Sequence, residues 1–160
     1  MKKKTKIVLV VLAVVLVFCL WYTRPISFEE LAGKGSITSV SMIAQIPGVE
    51  YGKPYINVWM VDGDEDHGYV NSGIEDILKS CKYRVSLRSL LPFPSVYDIP
   101  GKGDVLINIA AVMEDGSFFT GNYKGSTATL KFDKTVVVQA TDKDISEKLL
   151  AYAQEFGWQN

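Results

Sequence analysis

The chain predicts an α+β domain with a largely antiparallel sheet, set behind an N-terminal transmembrane helix. Three observations carry that class. Sixteen consecutive apolar or aromatic residues, Ile7 to Tyr22, follow a basic start. Residues 104–140 alternate apolar and polar side chains, interrupted by Asp115-Gly116, Lys124-Gly125 and Asp133-Lys134, which is the pattern of successive hairpins. Two further stretches, around Ile74 to Cys81 and from Ile145 to Phe156, repeat apolar residues every three or four positions, as helices packed on a sheet do.

The apolar run settles where the rest of the chain resides. As a helix it spans roughly 24 Å, shorter than a hydrocarbon core of about 30 Å but extendable at both ends. Lys2, Lys3, Lys4 and Lys6 precede it and Trp21 and Tyr22 close it, which predicts a cytoplasmic N-terminus and an extracytoplasmic domain at the cell membrane. A cleavable signal starts the same way but ends in small residues. The exit here is Phe18-Cys19-Leu20-Trp21-Tyr22-Thr23-Arg24-Pro25, which has no small pair, so an uncleaved signal-anchor is expected. Leu16-Val17-Phe18-Cys19 resembles a bacterial lipoprotein box at Leu16 and departs from it at Phe18, so Cys19 reads as a small apolar residue within the membrane helix. The expected division is 1–24 for the basic start and anchor and 25–160 for one extracytoplasmic domain.

Composition narrows the function. Five of the 17 Lys and Arg flank the apolar run, leaving 12 basic residues against all 18 acidic ones in the domain, a net charge of −6 with the histidine neutral. Such a balance argues against nucleic acid as a partner, because phosphate binding requires basic surface. Cys81 is the domain's only cysteine, so no internal disulfide forms and the fold depends on its hydrophobic core; Cys81 itself is expected to be buried near a helix end.

In order along the domain, Ser27-Phe28-Glu29-Glu30 predicts a short helix closed by a capping box and stopped by Gly33 and Gly35. The alternation of Val40, Met42, Ala44 and Ile46 predicts a strand over 36–46, broken by Pro47-Gly48; a second strand from Tyr55 to Val61 pairs with it as a hairpin. Ser72-Gly73-Ile74-Glu75 repeats the capping box and predicts a helix from there to Lys82, with Ile74, Ile77, Leu78 and Cys81 inward. Tyr83 to Leu90 alternates Tyr83, Val85 and Leu87 with Arg84, Ser86 and Arg88, predicting a strand with one wet, basic face. Residues 91–103 are rich in proline and predict a long loop. Asp104–Met113 and Ser117–Tyr123 form one hairpin, and Ser126–Phe132 and Thr135–Ala140 a second. The turn at Asp133-Lys134 is expected to exceed two residues, because that dipeptide suits a tight turn poorly. A capped start at 142–144 opens a closing helix on which Ile145, Leu149, Tyr152 and Phe156 recur at helical spacing, docked through Leu149 and Tyr152 and ended by Gly157.

Candidate functional groups are few. Asp62-Gly63-Asp64-Glu65-Asp66-His67-Gly68 is the densest polar run, and Asp62, Asp64 and Asp66 stand where the first ligands of a calcium loop would. Such a loop needs Gly and Glu at its sixth and twelfth positions, which here are His67 and Gly73, so the run reads as a solvated turn and no metal or other cofactor is expected. His67 has no nucleophile in a recognisable motif. Arg84 and Arg88, with Lys79 and Lys82 nearby, offer a basic strip suited to an anionic group or to surface carboxylates, and Phe93 and Tyr97 make the long loop a contact region. Arg84, Arg88, Phe93 and Tyr97 are thus the candidate binding residues.

The S-x-x-E helix and Tyr-Arg strand of Ser72 to Leu90, followed by the paired hairpins and closing helix of Asp104 to Phe156, resemble small membrane-anchored domains of Gram-positive bacteria. The resemblance implies a surface location; those families carry no established catalytic residues, so it assigns no activity and no site. No Gly-rich phosphate loop, metal-spaced Cys/His cluster, G-x-S-x-G elbow or H-E-x-x-H occurs. The leading expectation is a noncatalytic interaction or ligand-binding module of the cell envelope, with the membrane and an envelope protein or cell-surface ligand as partners. The alternatives are a carboxylate-dependent envelope hydrolase and a calcium-binding module, both built on 62–68. A sensory domain is a third reading, but with about six residues before the apolar run it would signal only through a partner.

Overall fold

Apolar residues on every side of a helix leave no face for water, and the first element has that character. Lys3–Tyr22 forms α1, 20 residues and therefore about 30 Å long, which matches a hydrocarbon core because the helix extends back through the lysines. From Thr5 to Tyr22 its side chains are exposed on every side apart from the half-buried Cys19 and Tyr22, and that stretch is long and apolar enough to cross a membrane. Thr23 closes it, with N–H and hydroxyl both donating to Cys19 O. The structure is a computed structural model and describes residues 3–33, 35–50, 53–64, 68–91 and 103–159.

Beyond α1 come β1 (Pro25–Ile26), α2 (Phe28–Ala32), β2 (Ile37–Glu50), β3 (Lys53–Gly63), α3 (Gly68–Ser80), β4 (Tyr83–Val85) and a 3-10 turn, η1 (Leu87–Leu90). There follow β5 (Leu106–Met113), β6 (Phe118–Lys124), β7 (Thr127–Lys131), β8 (Thr135–Ala140), α4 (Ile145–Phe156) and β9 (Trp158–Gln159). The strands form a single sheet in the order β1-β4-β8-β7-β6-β5-β2-β3-β9, and every neighbouring pair is antiparallel. The predicted α+β class, with its middle and closing helices, is what the chain adopts.

Period-two alternation sends one set of side chains to a single face. Val40, Met42 and Ala44 of β2, Val61 of β3, Ile107, Ile109 and Ala111 of β5, Phe119 and Tyr123 of β6, and Leu130 of β7 are all buried there. Ile74 and Leu78 of α3 and Leu149 and Ala153 of α4 cover the β5-β2-β3 half and are fully buried. The other half is closed by Phe28 of α2, which meets Phe119 edge-on at 5.5 Å and also contacts Tyr83 and Phe132. The expected capping box holds that short helix in place: Glu30 N–H donates to Ser27 Oγ and Ser27 N–H to Glu30 Oε2. Gly157, just past α4, is packed so closely on β3 that a Cβ there would lie 2.5 Å from Met60 O.

Four expectations are corrected. Pro47-Gly48 does not end β2, which continues in register with β3 as far as Glu50↔Lys53. Pro47 is tolerated because β5 pairs with β2 only as far as Gln45. Pro47 O instead accepts from Gly103 N–H, so the missing donor lies on the side the ladder has already left. Helix α3 begins at Gly68, one turn before the supposed capping box; Ser72 is internal and its hydroxyl donates to Tyr69 O. The expected inward face of Ile74, Ile77, Leu78 and Cys81 forms, and Val70 extends it by one turn. The strand from Tyr83 stops at Val85, because Ser86 Oγ accepts from Arg88 N–H and turns the chain into η1. Ser89 Oγ then takes the place of a strand, accepting from Val137 N–H (2.8 Å) and donating to Val137 O (3.0 Å). The start of α4 is closed within 142–144 as expected, by Asp142 Oδ1 accepting from Asp144 N–H, while Asp144 makes no side-chain cap. Phe156 is exposed and stacks on Tyr152 at 4.6 Å instead of entering the core. The β7–β8 turn, by contrast, has the expected extra residue, with Lys131 opposite Thr135.

Leu149→Ala in the full-length protein is expected to lower unfolding free energy by about 2 to 5 kcal/mol, measured by denaturant titration in detergent. Lys148→Ala, at an exposed position of the same helix, should cost far less. Equal losses would mean that the buried face of α4 is misassigned.

Candidate functional site: an uncovered sheet face

The same alternation that fills the core sends a second set of side chains to the opposite face, which α2, α3 and α4 do not cover. There the register lines up Ile43, Met60 and Trp158 in one row, Leu106, Gln45 and Val58 in the next, and Pro47 beside Ile56 in a third. Ile56 is 56% and Trp158 51% exposed. Ile43, Val58, Met60 and Leu106 are half-buried. Val112 and Phe118, opposite each other in the β5–β6 hairpin, are also exposed, and Ser41, Asn108 and Asn122 supply a polar rim. The β3 edge adds a second feature. Strand β9 pairs only with Trp59 and Met60, so from Lys53 to Val58 that edge has no strand partner among the described residues. Contiguous apolar surface with a polar rim beside an open strand edge is the composition of a protein-binding surface.

The predicted basic strip does not form as a single row. Arg84 is on the uncovered face of β4 opposite Gln139, whereas Arg88 is displaced into η1; both are exposed. Lys79 is no part of it. Its ammonium reaches Glu75 Oε1 at 2.6 Å and Glu29 Oε1 at 3.1 Å, and the hydrogen bond to Glu75, followed by that to Glu29, raises its pKa. Phe93, Tyr97 and Asp66 lie outside the described residues. Asp62 is an exposed β3 residue opposite Ser41, and Asp64 follows the strand, its carbonyl accepting from Asn71 Nδ2 at 3.0 Å. Among the described residues no three His, Cys, Asp or Glu side chains assemble as a metal set.

Residues that sequence reasoning missed are the buried Asn71 and Glu75 of α3. Glu75 Oε2 accepts from Ile37 N–H at 3.0 Å, so the carboxylate assigned to a helix cap instead fixes the first residue of β2. Asn71 bridges Thr38 O and Asp64 O, joining the same two strands. Both border a concavity of about 470 Å³ with Ser36, Thr38 and Ser72. Another of about 490 Å³ lies beneath α2, between the β5–β6 and β7–β8 turns. Two of its carboxylates serve the fold. Glu30 caps α2, and Asp115 Oδ1 accepts from Ser117 N–H in the turn at Gly116 (φ 79°); hydrogen bonds from the Ser117 side chain and then from its N–H hold the Asp115 carboxyl below its usual range.

The remaining ionisable groups are core groups. Cys81, buried just after α3, has its thiol pKa pushed up by desolvation, which removes the thiolate that chemistry would need. Tyr83 donates to Leu78 O at 3.0 Å, and burial drives its pKa and that of the neighbouring Tyr123 far above the usual phenol range. The Tyr123 hydroxyl is buried with no hydrogen-bond partner among the described residues. Comparison with protein-family models, curated proteins and solved structures gives no match.

These pKa shifts fix a pH dependence. A group whose folded pKa is raised keeps its proton while the unfolded chain loses it, so its contribution is intact below the unfolded pKa and is lost as pH climbs toward the folded one. Stability is therefore expected to fall from about pH 8.5, where unfolded cysteine ionises, and more steeply near 10, where unfolded tyrosine does. The slope approaches 1.4 kcal/mol per pH unit for each group. Tyr123→Phe, which removes an unsatisfied hydroxyl, should leave neutral-pH stability unchanged or higher and flatten the alkaline slope. Urea titrations from pH 7 to 10.5 measure both; a flat profile in the parent protein would contradict the buried placement of these groups.

Proposed function

We propose that this is a single-pass membrane protein whose domain stands outside the cytoplasm and acts as a noncatalytic interaction module of the cell envelope, in the manner of the Gram-positive domains it resembles. The uncovered apolar face of β5, β2, β3 and β9 carries the reading. Helices could bury only one face of so wide a sheet, and Ile56, Met60 and Trp158 are left in positions where water gains nothing and a partner protein would gain burial of about 25 cal/mol per Å². The open β3 edge beside them favours a partner that adds an extended segment there. The lysines at the start of α1 and the aromatic pair at its end support the orientation.

Two measurements test the parts separately. A reporter fused after Asn160 is expected to be active only outside the cytoplasm, and externally added protease should remove the domain from cells with an opened wall; cytoplasmic reporter activity would refute the orientation. A photo-crosslinking residue at Ile56 is expected to give a discrete protein adduct in cells, and one at the exposed Gln154 of α4 to give none. Equal or absent adducts at both positions would remove the uncovered face as the binding surface.

A further inference from the structure

The anchor has no linker. Two residues, Thr23 and Arg24, separate the end of α1 from β1, and β1 is an edge strand of the sheet, with Pro25 opposite Arg84 and Ile26 opposite Tyr83. Strand β4 continues within one residue into η1, so the edge that receives the anchor also carries η1. At no more than about 3.5 Å per residue, three residues from Tyr22 reach Pro25 and three more from its partner Arg84 reach Leu87, about 10 Å each. On this edge Leu87, Leu90 and Leu91 are 45%, 57% and 59% exposed. They stand free in a segment whose backbone is tied down by Ser86 and Ser89 to Val137, so their exposure belongs to a fixed surface.

Charge is segregated at the same place. Residues 23–26 and 83–91 contain Arg24, Arg84 and Arg88 and no carboxylate, in a domain whose net charge is −6. Glu30 of α2 lies 3.7 Å from Arg24 and is the acidic residue paired with this group, while Arg84 and Arg88 are exposed. Three bare leucines interleaved with arginines, beside an apolar span, have the composition of a segment that inserts aliphatic side chains at the acyl boundary and leaves guanidinium groups among anionic headgroups.

We infer that the β1–β4–η1 edge is a second membrane contact: Leu87, Leu90 and Leu91 enter the interface of the leaflet that α1 leaves, and Arg84 and Arg88 engage anionic lipid. The inference rests on the reading of α1 as a membrane anchor. It places the partner-binding edge at β3 and β9 six to eight strand spacings of about 4.8 Å away, roughly 30 to 40 Å from the bilayer.

The test uses the full chain with Cys19→Ala and Cys81→Ala, reconstituted in vesicles of phosphatidylglycerol and phosphatidylcholine, with an environment-sensitive fluorophore on Leu90→Cys, Trp21→Cys or Gln154→Cys. Bromination of the acyl chains is expected to quench the probes at positions 90 and 21 to a similar degree and to spare that at 154; vesicles of phosphatidylcholine alone should weaken quenching at 90 but not at 21. Quenching at 21 without quenching at 90 overturns the second contact and leaves the anchor standing. No quenching at 21 overturns the anchor reading and the inference with it. A blue-shifted but unquenched probe at 90 means that a second copy, and not lipid, covers the leucines, which also overturns it. Leu90 is exposed, so its replacement leaves the core intact, and the native melting transition of the labelled protein verifies that.

Discussion

Burial on one side only is the constraint from which the rest of the structure follows. Among the described residues nine antiparallel strands present two faces, and three short α-helices follow α1 with which to cover them. Helices α3 and α4 bury Ile74, Leu78, Leu149 and Ala153 against β2, β3 and β5, and α2 closes the remaining half with Phe28. Each fully buried side chain of this size contributes roughly 1.5 to 3 kcal/mol, and that stabilisation depends on all three helices lying on the same face. The opposite face is therefore left to solvent or to a partner, and its apolar rows at Ile43, Met60 and Trp158 differ in kind from the isolated exposed residues of ordinary surfaces.

Polar groups hold this arrangement in register. Glu75 and Asn71 fasten α3 to the beginning of β2 and the end of β3, and Lys79 neutralises Glu75 while reaching across to Glu29 of α2. Helix α1 joins the same framework through β1, which pairs with β4 and is separated from the helix only by Thr23 and Arg24.

Much of this was legible in the sequence because local patterns and tertiary demands agree. The capping box at Ser27 and Glu30 forms as read, the hairpins at Asp115-Gly116 and Asp133-Lys134 form with the lengths their turn residues favour, and Leu149 is buried. Reading failed where one residue type serves two purposes. Ser72 and Glu75 have the spacing of a cap, yet Glu75 is engaged by Ile37 N–H, 38 residues away in sequence, which no local pattern encodes. Pro47 ordinarily breaks a strand, and only the pairing list of β5 reveals that its missing N–H is harmless. The strands β1 and β9, two residues each, are too short for any periodicity to show. The uncovered face was hidden for a related reason: alternation identifies two faces, but only tertiary packing decides which one the helices take.

The central claim, that the uncovered face is occupied in its native setting, is tested most directly by oxidative footprinting of Met60 and Trp158 in intact cells and in the purified protein. Both side chains react readily when wet and share one row of the face. Both should be oxidised in the purified protein and protected in cells, while Trp59, on the helix-covered side, reacts equally in the two settings. Equal oxidation of Met60 and Trp158 in cells and in purified protein would show the face to be bare in both and would contradict the account.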